Sequence, residues 1–214
     1  MDDFLKGVKD IKSIFGDVSD QISKYCDKPL VIWSHFKLAS MDLLDKVESL
    51  SEGHIMRILV HDKSYTGKTT LACQVVQQLH PSCARMINSM LLSTVTNPCH
   101  TIHKTFDEIT KVSDGVIILD ALERLIEWCP LGVRINNQIL QSLLVEMTQH
   151  IIPTQKTLVI MTCDNKTLID ELGMTDLFDY VYELPNQIEV EDAKLFGLPS
   201  ATKTSHALKN MGER

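Results

Sequence analysis

From residue 55 onward, short apolar runs alternate with segments of helical periodicity, and this alternation limits the possible folds more than any other feature. The apolar runs that predict strands are Ile55–Val60, Ala84–Ile87, Val116–Leu119, Thr157–Met161 and Tyr180–Leu184. The helical patterns between them cover residues 69–79, 101–112, 135–147 and 166–172. Strands this apolar are typical of sheets covered on both faces. We therefore predict an α/β fold with a doubly wound, mainly parallel five-stranded sheet.

The residues on either side of this alternation form a lead-in and a tail. Apolar residues recur at helical spacing in residues 4–15, 18–26 and 41–50, with Ser40 as the expected cap of the third helix. After Asn186 the pattern fades into a segment rich in Ser, Thr and Lys. We therefore expect a helical lead-in over 1–53, a core over 54–186 and a short tail over 187–214.

Composition places the chain among ordinary globular proteins, with 44% hydrophobic and 23% charged residues. The net charge of −7 argues against broad binding to nucleic acid, and no apolar run is long enough to span a bilayer. No secretory signal pattern is visible at the start of the sequence. The six cysteines are scattered without a C-x-x-C pair, which favours a reducing, cytoplasmic compartment.

Two further patterns resemble functional motifs but lack a residue or residue pair that the motif requires. Cys99-His100 with His103 is the only cluster of candidate metal ligands, but no second pair follows at zinc spacing, so polar residues on a helix surface are favoured. Asn165-Lys166-Thr167 begins like the guanine-recognition sequence N-K-x-D, but Leu168 stands at the place of the required acid. The sequence thus argues against a GTPase.

The segment Asp62–Thr69 lies where the first predicted strand is followed by a helix. Its last three residues match the phosphate-binding pattern G-x-x-x-x-G-K-[ST], whose amides and lysine contact phosphates at a helix N-terminus. The candidate nucleotide-binding residues are Asp62, Lys63, Ser64, Tyr65, Thr66, Gly67, Lys68, Thr69 and Thr70. Asp62 replaces the first glycine of the pattern. We expect it to strain a turn that requires positive φ and to repel phosphate; a structural turn without a ligand is the alternative.

The strand Val116–Leu119 ends in Asp120, which is the usual position of an acid that holds Mg²⁺ near bound phosphates. Thr69 and Asp120 are therefore the candidate metal ligands, and helix capping is the alternative role for Asp120. In ATPases of this build the next residue is usually the acid that activates water. Here it is Ala121, and losing a general base typically costs about 10²–10⁴ in rate.

The order and spacing of three segments resemble one family. They are residues 120–125 (Asp-Ala-Leu-Glu-Arg-Leu), 130–134 (Pro-Leu-Gly-Val-Arg) and 139–144 (Ile-Leu-Gln-Ser-Leu-Leu). They resemble the second AAA+ ATPase domain of the vesicle-fusing ATPases, the N-ethylmaleimide-sensitive factor family. The similarity covers roughly residues 3–186.

This resemblance implies a P-loop NTPase of the AAA+ type with a truncated C-terminal lid. It also implies ATP and Mg²⁺ as cofactors and a hexameric ring of like or related subunits that, with adaptor proteins, takes SNARE complexes apart. By position, Lys68 contacts the β- and γ-phosphates, and Asp164 stands at the sensor position, where a neutral polar side chain is usual.

We therefore expect an ATP-binding assembly domain with little hydrolysis. The departures at Asp62, Ala121 and Asp164 argue against a working ATPase, which ranks last. The intact Gly67, Lys68 and Asp120 argue against the second-ranked alternative, a degenerate pseudo-ATPase that no longer binds nucleotide.

Overall fold

The computed structural model of the chain describes residues 20–26, 34–64, 66–131, 134–148 and 155–184. The helices are α1 (Asp20–Cys26), α2 (Ser34–Glu48), α3 (Lys68–Leu79), α4 (Ser89–Thr94), α5 (Pro98–Ile109), α6 (Leu122–Leu125), α7 (Asn137–Thr148) and α8 (Lys166–Glu171). The strands are β1 (His54–His61), β2 (Cys83–Ile87), β3 (Asp114–Leu119), β4 (Lys156–Cys163) and β5 (Tyr180–Glu183). A single 3₁₀ turn, Thr175–Leu177, precedes β5.

The five strands form one sheet in the order β2-β3-β4-β1-β5, and every pair is parallel. The predicted five-stranded parallel sheet is therefore confirmed. Parallel neighbours need crossover connections, which the helices between the strands provide. Because all strands run the same way, their carboxyl ends meet at one edge of the sheet.

Helices cover both faces of the sheet, as the apolar strands predicted. Successive residues of β1 point to opposite faces: Leu59 packs in one core with α5 and α7, whereas Ile58 and Val60 pack in the other with α2 and α3. All three side chains are fully buried. Burying an aliphatic side chain of this size contributes about 1.5–3 kcal/mol, so the central strands are held from both sides.

The helix boundaries correct one expectation from the sequence. The helix α2 begins at Ser34, and Ser40 lies inside it with its hydroxyl donating to the Lys37 carbonyl at 2.8 Å. Ser40 as a helix cap is therefore wrong, because the buried residues Phe36 and Ala39 extend the apolar face toward the N-terminus. The expected helix over 4–15 and the tail over 187–214 lie outside the described residues.

The state of the cysteines and the apolarity of the helices relate to the predicted compartment and to the expectation that no segment spans a bilayer. Cys73, Cys83 and Cys163 are buried free thiols, and Cys99 and Cys129 are partly exposed free thiols. Within the described segments, no helix combines the length and apolarity that a bilayer crossing requires.

An ion pair joins α5 to α7 across the protein surface. The Nδ1 atom of His103 lies 2.8 Å from Oε1 of Glu146, a carboxylate whose side chain is only 5% exposed. The hydrogen bond to Glu146, followed by the charge of that carboxylate, raises the pKa of His103. The histidine that the sequence grouped with Cys99 and His100 is thus the partner of a buried acid.

We expect this pair to make stability depend on pH. A raised folded-state pKa contributes stability that is fully present below the unfolded value of 6.5 and is lost as pH rises through the folded value. The His103→Gln substitution retains a neutral donor but removes the charge. Urea unfolding should therefore show wild type to be more stable than this variant near about pH 6, with the difference vanishing near about pH 8.5.

The matched control is His100→Gln, on the exposed surface of the same helix. A pH dependence that is lost in His103→Gln and kept in the control is assigned to the contact with Glu146. A difference between wild type and His103→Gln that stays constant with pH would show that the His103 charge contributes nothing.

Candidate functional site

The candidate site lies at the carboxyl edge of the sheet, where three adjacent strands end. The sheet order places β3, β4 and β1 side by side. The loop of residues 62–67 follows β1, Asp120 follows β3, and Asp164 follows β4. Ligands of open α/β sheets bind outside this edge. The topology therefore gathers residues that are far apart in the sequence: Thr162 lies 42 positions from Asp120, and Asp164 lies 100 positions from Ser64.

Gly67 is the residue of the loop that has to be glycine. It immediately precedes α3 with φ 93°, in the left-handed region that side chains rarely adopt. A Cβ atom there would stand 3.2 Å from Cε2 of Phe36, a buried ring on α2. The lead-in helix thus packs directly against the end of the phosphate loop, a contact that the sequence pattern did not indicate.

Lys68 opens α3, and its ammonium group is turned back into the loop. Its Nζ donates to the carbonyls of Asp62 at 2.9 Å and Lys63 at 2.6 Å, and lies 2.9 Å from Oδ1 of Asp164. Thr66 Oγ1 is a fourth, more distant acceptor at 3.3 Å, so each of the three protons of the ammonium group has a partner. The side chain is only 7% exposed, so the charge is held almost entirely by protein groups.

Asp62, which replaces the first glycine of the pattern, needs no special backbone geometry. Among the described residues, positive φ occurs only at His80, Ala121, Glu127, Gly53, Gly67 and Gly173. The expected strained turn at Asp62 is therefore wrong, because the left-handed residue of this loop is Gly67. The Asp62 side chain is buried, and its Oδ2 atom has no hydrogen-bond partner among the residues that the structure describes.

Asp120 lies within reach of two hydroxyl groups. Thr69 Oγ1 donates to Asp120 Oδ1 at 2.6 Å, and Thr162 Oγ1 donates to the same oxygen at 3.0 Å. Hydroxyl and carboxylate oxygens are ligands that suit Mg²⁺. The residue at the N-cap of α6 is Ala121, so the alternative role of Asp120 as a helix cap is wrong. Thr162, on β4, was not predicted from the sequence.

Ala121 stands in the position of the missing acid with a strained backbone. Its φ is 55°, which costs an L-residue roughly 1–2 kcal/mol. Its N–H donates to Thr162 Oγ1 at 2.8 Å, which fixes the peptide after β3. The methyl side chain offers no group that takes a proton or orients water.

Asp164 bridges the end of β4 to the phosphate loop. It accepts a hydrogen bond from Ser64 Oγ at 2.6 Å in addition to its contact with Lys68. Burial opposes its ionisation, but the hydrogen bonds from Ser64 and Lys68 and the charge of Lys68 outweigh this and lower its pKa. Asp164 is therefore a carboxylate anion at neutral pH, and it lies against the loop expected to hold phosphate.

The other candidate residues of the loop have smaller roles in this arrangement. Thr66 Oγ1 donates to the Lys63 carbonyl at 3.0 Å, and the Lys63 side chain is exposed. Thr70 lies in the first turn of α3. Tyr65 lies outside the described residues.

Glu123, on the short helix α6, holds the backbone that carries Asp164. Its Oε1 atom accepts from the N–H groups of Asp164 at 2.7 Å and Asn165 at 2.8 Å. The residue is 9% exposed, and within the described part of the chain its Oε2 atom has no hydrogen-bond partner. Burial, followed by the charge of Glu123, raises the pKa of the neighbouring Cys163 thiol to about 12. No spacing in the sequence indicated this role.

The residue after Asp164 also has a structural role. Asn165 is the N-cap of α8, and its side chain accepts from the N–H of Thr167 at 3.0 Å. This geometry agrees with the sequence argument against guanine recognition.

We expect the Glu123→Ala substitution to destabilise the fold by about 2–4 kcal/mol, because two N–H groups lose a charged acceptor. The Glu123→Gln variant is the matched control, since its amide oxygen keeps both hydrogen bonds. Urea unfolding of the two variants measures the difference. Equal stabilities would show that these hydrogen bonds do not hold the loop after β4.

Comparison with known proteins gives a consistent family. The ATPase family associated with various cellular activities (AAA) matches residues 58–186. Over 99% of the chain's own length, it is 26% identical to the vesicle-fusing ATPase of Arabidopsis thaliana. Over 82% of the chain's own length, it is 24% identical to the vesicle-fusing ATPase of Caenorhabditis elegans. It is 22% identical to the vesicular-fusion protein SEC18 of Saccharomyces cerevisiae over 89% of its length.

The chain spans only 30%, 22% and 26% of the lengths of these three relatives. The resemblance to vesicle-fusing ATPases that the sequence indicated is confirmed by these matches, and the AAA match covers more than half of the chain. The chain belongs to the AAA family of ATPases.

Proposed function

We propose that this chain is an ATP-binding AAA domain of the vesicle-fusing type, which serves ring assembly and hydrolyses little ATP. The ring consists of like or related AAA subunits and acts in the cytoplasm, in SNARE-complex disassembly and vesicle-mediated protein transport. One observation carries the proposal. The residues that bind nucleotide and metal, Lys68, Thr69 and Asp120, are assembled at one edge, whereas the neighbouring catalytic position holds Ala121.

The residues at this edge include groups that suit Mg²⁺ and groups that suit phosphate. Thr69 and Asp120 supply a hydroxyl and a carboxylate 2.6 Å apart, which fits a hard cation. The N-terminus of the 12-residue helix α3 supplies amide N–H groups for phosphate, and Lys68 supplies a cation. When bound, Mg²⁺ would neutralise phosphate charge.

We expect little ATP hydrolysis because the usual position of the general base, next to Asp120 in the chain, holds no acidic side chain. Ala121 has no basic group, and the nearby Glu123 directs Oε1 toward two backbone N–H groups. An ATPase without its general base is slowed by about 10²–10⁴. The proposed role is therefore binding rather than turnover.

Assembly gives nucleotide binding a use without hydrolysis. A ligand that binds the assembled state more tightly stabilises that state by mass action. The lead-in helix α2 also exposes apolar side chains, with Leu38 61% and Met41 52% exposed. Such side chains can be covered by another subunit.

A second candidate function is a pseudo-ATPase scaffold that no longer binds nucleotide. The contact that favours it is the 2.9 Å ion pair between Lys68 and Asp164, which uses the loop's cation within the protein. The two candidates differ in one measurable property, which is nucleotide affinity.

We expect ATP with Mg²⁺ to bind the chain, and Lys68→Ala to weaken that binding by more than about tenfold, because phosphate loses a charged donor. Isothermal titration calorimetry with and without Mg²⁺ measures this. Lys104→Ala, which removes an exposed lysine of α5, is the matched control and should leave the affinity unchanged. Unchanged affinity in Lys68→Ala would reject the phosphate-loop interpretation.

We expect saturating ATP to promote association of the chain with itself or with an intact vesicle-fusing ATPase. Analytical ultracentrifugation of the chain, alone and mixed with that ATPase, measures the association at zero and saturating ATP. The Lys68→Ala variant is the control, since its association should not respond to ATP. A monomer under all of these conditions would reject the assembly role and favour the pseudo-ATPase scaffold.

A further inference from the structure

The phosphate loop already contains an anion, which the protein itself supplies. The Asp164 carboxylate lies 2.9 Å from Lys68 Nζ and accepts from Ser64 Oγ at 2.6 Å. A bound phosphate group is also an anion that accepts hydrogen bonds from cationic and hydroxyl donors. Asp164 therefore occupies donors that a phosphate would need. The other acceptors around Lys68 Nζ are the carbonyls of Asp62 and Lys63 and, at 3.3 Å, Thr66 Oγ1.

The position of Asp164 is fixed from both ends. Its backbone N–H donates to the buried Glu123 carboxylate at 2.7 Å, while its side chain contacts the loop. The residue follows directly on β4, a strand paired to both β1 and β3. The carboxylate is therefore held against Lys68 by the sheet as well as by its charge.

Asp164 contacts the lysine of the phosphate loop, which is the group expected to reach the outer phosphates of a nucleotide. Loop amides at the start of the helix cradle the phosphates nearer the nucleoside, whereas the lysine reaches the β- and γ-phosphates. Asp164 contacts the tip of this lysine, and it carries a negative charge. A third phosphate would have to share Lys68 with that charge or displace it.

We propose that Asp164 is a built-in competitor for the terminal phosphate of ATP, a specificity-determining residue that weakens binding of the triphosphate more than that of the diphosphate. The inference rests on the proposed nucleotide-binding function. It identifies Asp164 as the residue that lowers the affinity of that site for ATP. In the nucleotide-free chain, the ion pair with Lys68 and the bond from Ser64 hold the loop closed on this carboxylate. ATP binds by displacing it.

The test compares Asp164→Asn with wild type by isothermal titration calorimetry, using ATP and ADP, each with Mg²⁺. The amide keeps the size of the side chain and removes its charge. We expect ATP to bind Asp164→Asn about tenfold or more tightly than wild type, and ADP affinity to change by less than about threefold. The matched control is Asp176→Asn, which removes the same charge from an exposed side chain on the 3₁₀ turn.

The ratio of ATP to ADP affinity separates competition from a structural effect. An unchanged ratio in Asp164→Asn, or weaker ATP binding, overturns the inference while leaving the proposed function in place. Binding by Asp164→Asn but not by wild type supports the inference and rejects ATP binding as the function of this chain. Binding by neither protein, with both folded by circular dichroism, rejects both.

Discussion

A buried ammonium group organises the carboxyl edge of this sheet. Lys68 is 7% exposed, and a charge removed from water must be matched by nearby acceptors. Its acceptors come from the loop after β1 and from Asp164 after β4. Because the Asp164 side chain is 32% exposed, removing it should cost less than the roughly 3–5 kcal/mol that is typical of a fully buried ion pair. The loop and the two strand ends are therefore fixed relative to one another by the same group that would bind phosphate.

The acids of this edge are divided between structure and binding. Asp120 accepts from Thr69 and Thr162, which is compatible with a metal site, whereas Glu123 is used to hold the backbone at Asp164. Position 121, between them in the chain, has a methyl group and a strained φ of 55°. Because Glu123 Oε1 already accepts two N–H groups, this oxygen serves to hold the backbone after β4. The structural acid and the candidate metal-binding acid are thus different residues.

Most of the fold was predictable because it depends on local patterns. Runs such as Ile55–Val60 and Val116–Leu119 have the length and apolarity of buried strands, and Gly67-Lys68 marks the strand-to-helix junction. The site was less predictable, because its decisive contacts join residues far apart in sequence. Ser64 and Asp164 are 100 residues apart, and Asp164 and Glu123 are 41 apart. The family resemblance implied that Asp164 is unusual for its position, but only the structure shows that it reaches Lys68.

Under the proposed function, the balance of charge at this edge gives a metal ion a role in nucleotide binding. The carboxylates of Asp62, Asp120, Glu123 and Asp164 surround the edge, and Lys68 is the buried cation among them. A triphosphate entering alone would add several negative charges to this group at short range. Mg²⁺ held by Thr69 and Asp120 would offset part of that charge and leave Lys68 as the contested group. The metal and the displacement of Asp164 therefore act on the same obstacle, which is the repulsion between phosphate and the protein's own carboxylates.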